Sequence, residues 1–195
     1  VDGDRYLPVT AIESIRSKPT RPFSVELAVV VHALEGRIEF KSERTAWILQ
    51  PGHAIGFAPG DTWVQAPMHR SRTWTLFIRE EFLREQLRWC LPEKGRVHPN
   101  LHPDEWRASP TVVSPGVELF SELEPIWREL SVLCDPELEP EFAATRSARL
   151  FLDALERSIH ILLIENCHPG PLPILTPGPY LGTYPPIEKA IARAV

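Results

Sequence analysis

The sequence is short of several things, and each shortage excludes a class of protein. No apolar run approaches the ~18 residues that a membrane span needs. Cysteine is scarce: Cys90, Cys134 and Cys167 are odd in number and far apart. They suit neither a disulfide framework nor a CxxC metal or redox pair, so a reducing compartment is expected, the cytoplasm. Positive charge is also short. Lys and Arg total 21 against 26 Asp and Glu, a formal net charge of −5. Such a chain is a poor electrostatic match for nucleic acid and is not expected to hold DNA by itself. Glycine is sparse at 10 against 21 prolines, so many turns are stiff rather than permissive. The single methionine, Met68, is internal and the chain opens at Val1. That suggests a removed Met or a piece cut from a longer protein. No nucleophile elbow, phosphate loop or dinucleotide fingerprint occurs.

What is present suits a globular fold. Hydrophobic residues make up 43% and charged residues 24% of the 195 positions. That length buries a real core without staples. Residues 1–23 read as an N-terminal arm, polar and broken by Pro8, Pro19 and Pro22. Short β-forming runs follow at Val25–Leu34, Arg37–Phe40, Thr45–Gln50, His53–Ala58, Thr62–Ala66 and Arg72–Ile78. They are separated by Glu35-Gly36, Pro51-Gly52 and Pro59-Gly60-Asp61. Strands this short at nearly even spacing predict an antiparallel sandwich or barrel.

The period then changes. Phe82, Leu83, Leu87 and Leu91 predict a helix over 79–91. A Pro-rich loop leads to a last short strand at Thr111–Val113. Ser114 reads as an N-cap with Pro115 at the first helical position. Phe120, Leu123, Ile126, Trp127 and Leu130 then form one amphipathic stripe. A second, longer helix is expected over 141–165 and is apolar on two faces. Phe151, Leu155, Ile159 and Leu162 line one, and Leu150, Ala154, Ile161 and Ile164 the other. One face packs on the sheet. The other finds its partner in a twin subunit or elsewhere in the same one. Residues 114–166 are therefore the expected helical dimerisation segment. Residues 167–185 read as a Pro-rich linker, and 186–195 as the start of a further helix.

The residues Ala33-Leu34-Glu35-Gly36-Arg37-Ile38, Trp47-Ile48-Leu49-Gln50-Pro51-Gly52 and Phe57-Ala58-Pro59-Gly60-Asp61 together resemble the cupin sensor domain of AraC-type transcription regulators. Tight turns between barrel strands want Gly or Pro at such places. The order of arm, small barrel, helices, linker and new helix is similar to the whole sensor half of that family. The resemblance implies an α+β fold, a small antiparallel β-barrel or jelly roll over 24–113 followed by two or three helices. It implies a small-molecule effector in the barrel, an arm that closes over it, and a homodimer through the longer helix. DNA would be contacted only through a helix-turn-helix domain that begins near Pro186.

Many cupins are metalloenzymes, so a small cupin isomerase or dioxygenase is the rival reading. The family's metal motifs, carried over, fall near Phe23, Val25, Val29 and Trp63, and none of these side chains ligates a metal. Glu26 is the only carboxylate between Phe23 and Val31, where no His occurs. His98 and His102 have ligand spacing, but Pro99 and Pro103 break any helix there. His53 and His69 fall in or near turns, on the surface. His32 is out of phase with Val29 and Val31 and points away from the interior. No metal, no cofactor and no catalytic residue are expected.

Strand alternation sets the expected lining. With Val29 inward, Val31 and Ala33 follow, and Trp63 brings Gln65 with it. The resemblance places ligand contacts at sites like Gln65, Trp74 and Leu76. The expected binding set is therefore Val31, Trp63, Gln65, Trp74 and Leu76, with Tyr6 as a lid residue on the arm. A barrel packed solid by its indoles fits the same residues. The walls suit a flat or apolar molecule, or a sugar face on indole. They speak against a strongly anionic one, since no Arg or Lys is placed inside.

Overall fold

The structure, a computed structural model, describes residues 7–42, 45–90 and 110–163. Tyr6, the His98–His102 stretch, Cys167, the 167–185 linker and the helix expected from 186 lie outside the described residues.

Eight strands and three helices make an α+β fold. The strands are β1 (Val9–Arg16), β2 (Ala28–Glu35), β3 (Ile38–Lys41), β4 (Ala46–Leu49), β5 (Ala54–Phe57), β6 (Val64–Pro67), β7 (Ser71–Ile78) and β8 (Thr111–Val113). The helices are α1 (Glu80–Cys90), α2 (Val117–Val132) and α3 (Pro140–Leu163). The strands form two antiparallel sheets, one ordered β1-β7-β2-β5-β8 and the other β4-β3-β6.

The two sheets enclose one core, and the helices bury a second against the large sheet. Val29, Val31, Ile38, Phe40, Leu49, Ile55, Phe57 and Trp63 fill the space between the sheets. On the helix side, Val9, Ala28, Trp74, Leu76 and Ile78 meet Phe120, Leu123, Trp127 and Leu130 of α2 and Leu150 and Phe151 of α3. At β2 and β5 the large sheet is thus covered on both faces, and these two strands read as near-continuous apolar runs instead of alternating ones.

Segment 1–23 was expected as an arm, yet β1 lies within it. Its eight residues pair antiparallel with β7, from Val9 opposite Ile78 to Arg16 opposite Ser71. The free edge of β1 is partly capped by α3, because the Ser147 hydroxyl accepts from the Val9 N–H at 3.1 Å and donates to the Val9 carbonyl at 2.6 Å. The expected cap of α2 also differs. Gly116, not Ser114, occupies the N-cap position, at φ 99°. The reason is a close approach. Gly52, at φ 86°, packs its backbone against Gly116, and a Cβ there would lie 3.0 Å from the Gly116 carbonyl carbon. The Gly116 N–H donates to the Gly52 carbonyl at 3.1 Å.

Candidate ligand cavity

The site grows from the connection between β1 and β2. Residues 19–23 run beside β6 and are held there by four backbone-anchored hydrogen bonds. The Thr20 N–H donates to the Gln65 carbonyl at 2.9 Å, and the Gln65 N–H donates to the Thr20 hydroxyl at 3.0 Å. The Phe23 and Trp63 backbones exchange bonds of 2.9 and 3.1 Å. Proline at 19 and 22 keeps this strap extended between those contacts. Under it lies a cavity of about 460 Å³, within the range of small-molecule sites.

Each wall follows from strand alternation. β1 contributes Ile12, Ser14 and Arg16, and β7 contributes Thr75 and Phe77. Val31 comes from β2, Trp63 and Gln65 from the entry of β6, and Thr20, Arg21 and Phe23 from the strap. Trp63 is fixed from two sides. Its ring stacks on Phe57 with centroids 4.1 Å apart and planes 5° apart, and Phe23 meets it edge-on at 5.3 Å. Phe23 also meets Phe77 edge-on at 6.2 Å. Gln65 is buried, and its side-chain NH2 has no partner among the described residues.

The structure therefore brings together Val31, Trp63 and Gln65 of the expected lining. It does not bring Trp74 and Leu76. In the β2–β7 register Val29 faces Phe77 and Val31 faces Thr75, so the inner phase of β7 is Thr75 and Phe77. Trp74 and Leu76 project to the helix side, where the Trp74 and Trp127 rings are 6.4 Å apart. The expectation failed because the more apolar and more deeply buried phase of β7 serves the helices, while the cavity phase, Thr75 and Phe77, is only half-buried. Arg16, Thr20, Arg21, Phe23, Thr75 and Phe77 were missed. The Val29–Phe77 pairing was the missing signal, and a single strand does not reveal its partner's register.

His32 does point away from the space between the sheets, as expected from its phase. It is buried on the helix side, 4.4 Å from the Trp127 ring and 5.0 Å from Phe120. Burial pushes its pKa down to about 3, against a small upward pull from a backbone hydrogen bond with Trp74. His53 is half-buried, and burial lowers its pKa as well. His69 is exposed. Across the same interface Arg72 of β7 pairs with Glu124 of α2 and with Glu13 of β1 at 2.5 Å. These carboxylates raise the Arg72 pKa, the hydrogen bond that Arg72 donates to Glu124 most.

The α3 residues expected at a twin subunit are placed as follows. Phe151 is buried within one subunit, its ring 5.6 Å from Phe82 of α1. Leu155 is half-buried against the same core. The side chains of Ile159 and Leu162 lie outside the described residues. Among the described residues, no group of three or more His, Cys, Asp or Glu is placed to hold a metal. No described helix is long and apolar enough to cross a membrane.

Comparison with known proteins gives a likeness of fold. No protein-family model matches the sequence, and no curated protein matches it. Among solved structures, apo ToxT K231A from Vibrio cholerae strain SCE256 superposes with a TM-score of 0.50 at 8% identity, over 80% of this chain. This chain spans 59% of the length of that ToxT chain. A second Vibrio cholerae ToxT structure gives 0.46 at 8% identity, over 77% of this chain and 57% of that one. A cupin-2 domain protein from Shewanella frigidimarina gives 0.35 at 11% identity, over 37% of this chain and 72% of that one. ToxT is an AraC-family regulator, and its N-terminal domain is the part matched. The chain shares its fold with the part of ToxT on which it superposes.

Proposed function

We propose that this chain is the effector-sensing and dimerisation domain of an AraC-type transcription regulator. It binds a small organic molecule, needs no metal, catalyses no reaction, and transmits to a DNA-binding domain lying beyond residue 195. The observation that carries this reading is the cavity of about 460 Å³ beneath the 19–23 strap, walled by Val31, Trp63 and Gln65. Its walls come from both sheets and from a strap held by hydrogen bonds, so an occupant has a direct means of shifting the strap and β1. The fold likeness to ToxT over 80% of the chain supports the same reading.

The rival reading, a cupin enzyme, needs ligands where this chain places Phe23, Val25, Val29 and Trp63. Val29 and Trp63 are packed in the core between the sheets. A cytoplasmic homodimer joined through α3 belongs to the proposal. The stripe of Leu155, Ile159 and Leu162 is its candidate contact, while Phe151 is spent within the subunit.

Native mass spectrometry of the chain, before and after denaturation, tests the reading. The expected result is a two-copy species whose small organic adduct is lost on denaturation. A stoichiometric transition metal in place of the organic mass overturns it in favour of the enzyme.

A further inference from the structure

β1 is at once a wall of the cavity and a neighbour of the helices. Ile12, Ser14 and Arg16 face the cavity. Glu13, between them, projects by alternation to the opposite face, the one that carries α2. There its carboxylate accepts from Arg72 Nε at 2.5 Å. Through Nη2 the same guanidinium donates to Glu124 of α2, which Arg128 also holds, at 2.9 Å. One arginine thus joins the cavity wall to the helix layer. Val9 is tied to α3 by Ser147. Among the described residues, no other hydrogen bond or ion pair leads from Ile12–Arg16 toward a helix. A third carboxylate is close by. Glu35, at the end of β2, lies 3.9 Å from Arg72 Nη1, within Coulombic reach but outside hydrogen-bond distance. The β2–β7 register shifts between Ala33 and Glu35, and that irregularity sets Glu35 opposite Arg72. The Arg72 and Glu124 side chains are 22% and 19% exposed, so their tie is better sheltered than an ordinary surface pair.

We propose that Arg72 couples the cavity to α2, with Glu13 and Glu35 as alternative acceptors. In the arrangement seen, Arg72 joins Glu13 to Glu124. An occupant that displaces β1 draws Glu13 away, Arg72 turns to Glu35, and Glu124 carries the change into α2. This rests on the sensor reading and names how that site is read out. Arg72 lines no part of the cavity; it acts through Glu13 and Glu124 and is a positioning residue. A guanidinium has donors enough for either arrangement. The exchange trades one carboxylate for another, and the side chain released, Glu13, is already 37% exposed to water. The two arrangements are therefore close in energy, and a modest difference in ligand affinity shifts the balance between them.

Two measurements on the full chain test it. In the first, the nitrogen-15-labelled chain is titrated with 2-naphthol. Large amide shifts are expected at Ser14, Gln65 and Thr75, with smaller ones at Glu35, Glu124 and Arg128. E13Q and E124Q are expected to keep the cavity shifts and to lose the shift at Arg128. R146Q, which breaks the α2–α3 pair with Glu129, is expected to keep both sets. An Arg128 shift that survives E13Q, or a wild-type chain that shifts only at the cavity, overturns the coupling and leaves the sensor reading standing. The second measurement needs no ligand. The Ile12 and Ser14 amides, by alternation from Val9, point to β7. Their hydrogen exchange is expected to quicken about threefold in E124Q and to stay unchanged in R146Q. Unchanged exchange in E124Q overturns the tie itself. Quickened exchange in E124Q, beside a wild-type chain that shifts nowhere at saturating 2-naphthol, upholds the tie and counts against the sensor reading alone.

Discussion

The imidazole of His32 lies 4.4 Å from the indole of Trp127, with the planes tilted by 35°. This pair ties β2 to α2 at the centre of the sheet–helix layer. His32 is neutral there, since burial holds its pKa near 3.

A pH dependence follows with a definite sign. Above about pH 6.5 the residue is neutral in both folded and unfolded chains and contributes no slope. Below that pH the unfolded chain binds a proton that the folded chain refuses. Stability is therefore expected to fall by about 1.4 kcal/mol per pH unit as pH drops from there toward the folded value. His53 adds a slope of the same sign. The check is the urea midpoint at about pH 7 and about pH 5 for the wild type and H32F, with the variant showing the shallower loss.

Ser147 satisfies both backbone groups on the free edge of Val9. Ser147→Ala leaves them buried and unpaired, at an expected cost of about 1–3 kcal/mol. Ser158, whose hydroxyl bonds only to the Ala154 carbonyl one turn back in α3, is the control. Ser158→Ala is expected to be within about 0.5 kcal/mol of wild type. Urea unfolding of the two variants separates them.

Two turn glycines share a left-handed backbone but differ in surroundings. Gly52 has φ 86° and meets Gly116 and Val117, whereas Gly60 has φ 84° and its nearest neighbour is 3.9 Å away. Gly60→Ala is expected to cost only the left-handed strain, about 1–2 kcal/mol. Gly52→Ala adds a backbone collision and is expected to lower the thermal midpoint further. Differential scanning calorimetry of both variants gives the order.

Trp63 and Trp74 belong to different cores, one between the sheets and one beneath the helices. Trp63→Phe is therefore expected to weaken ligand binding, and Trp74→Phe to reduce stability while leaving binding unchanged. Titration and thermal melts on the same samples check both halves.

Much of the fold was legible along the chain. The turns at Gly36, Gly52 and Gly60 stand where Gly or Pro punctuated β-forming runs, and all three have positive φ. The stripe from Phe120 to Leu130 packs on the sheet as its 3.6-residue spacing predicts. β1 was not legible. Thr10, Glu13, Ser14 and Arg16 make it look polar, because an edge strand beside an open cavity keeps one side wet. The site was half legible. Val31, Trp63 and Gln65 follow from alternation within single strands. Thr75, Phe77, Arg16 and Arg21 depend on register between strands and on the path of the strap, which pattern within one segment does not encode.

On the proposed function, the space between β1, β7, β6 and the 19–23 strap is where this domain receives its ligand. Amide chemical-shift mapping checks this on the nitrogen-15-labelled chain titrated with 2-naphthol, a flat and largely apolar probe. The largest shifts are expected to cluster on Ser14, Thr20, Phe23, Gln65 and Thr75. Shifts centred on Trp74 and Trp127, or none at saturating ligand, would contradict it.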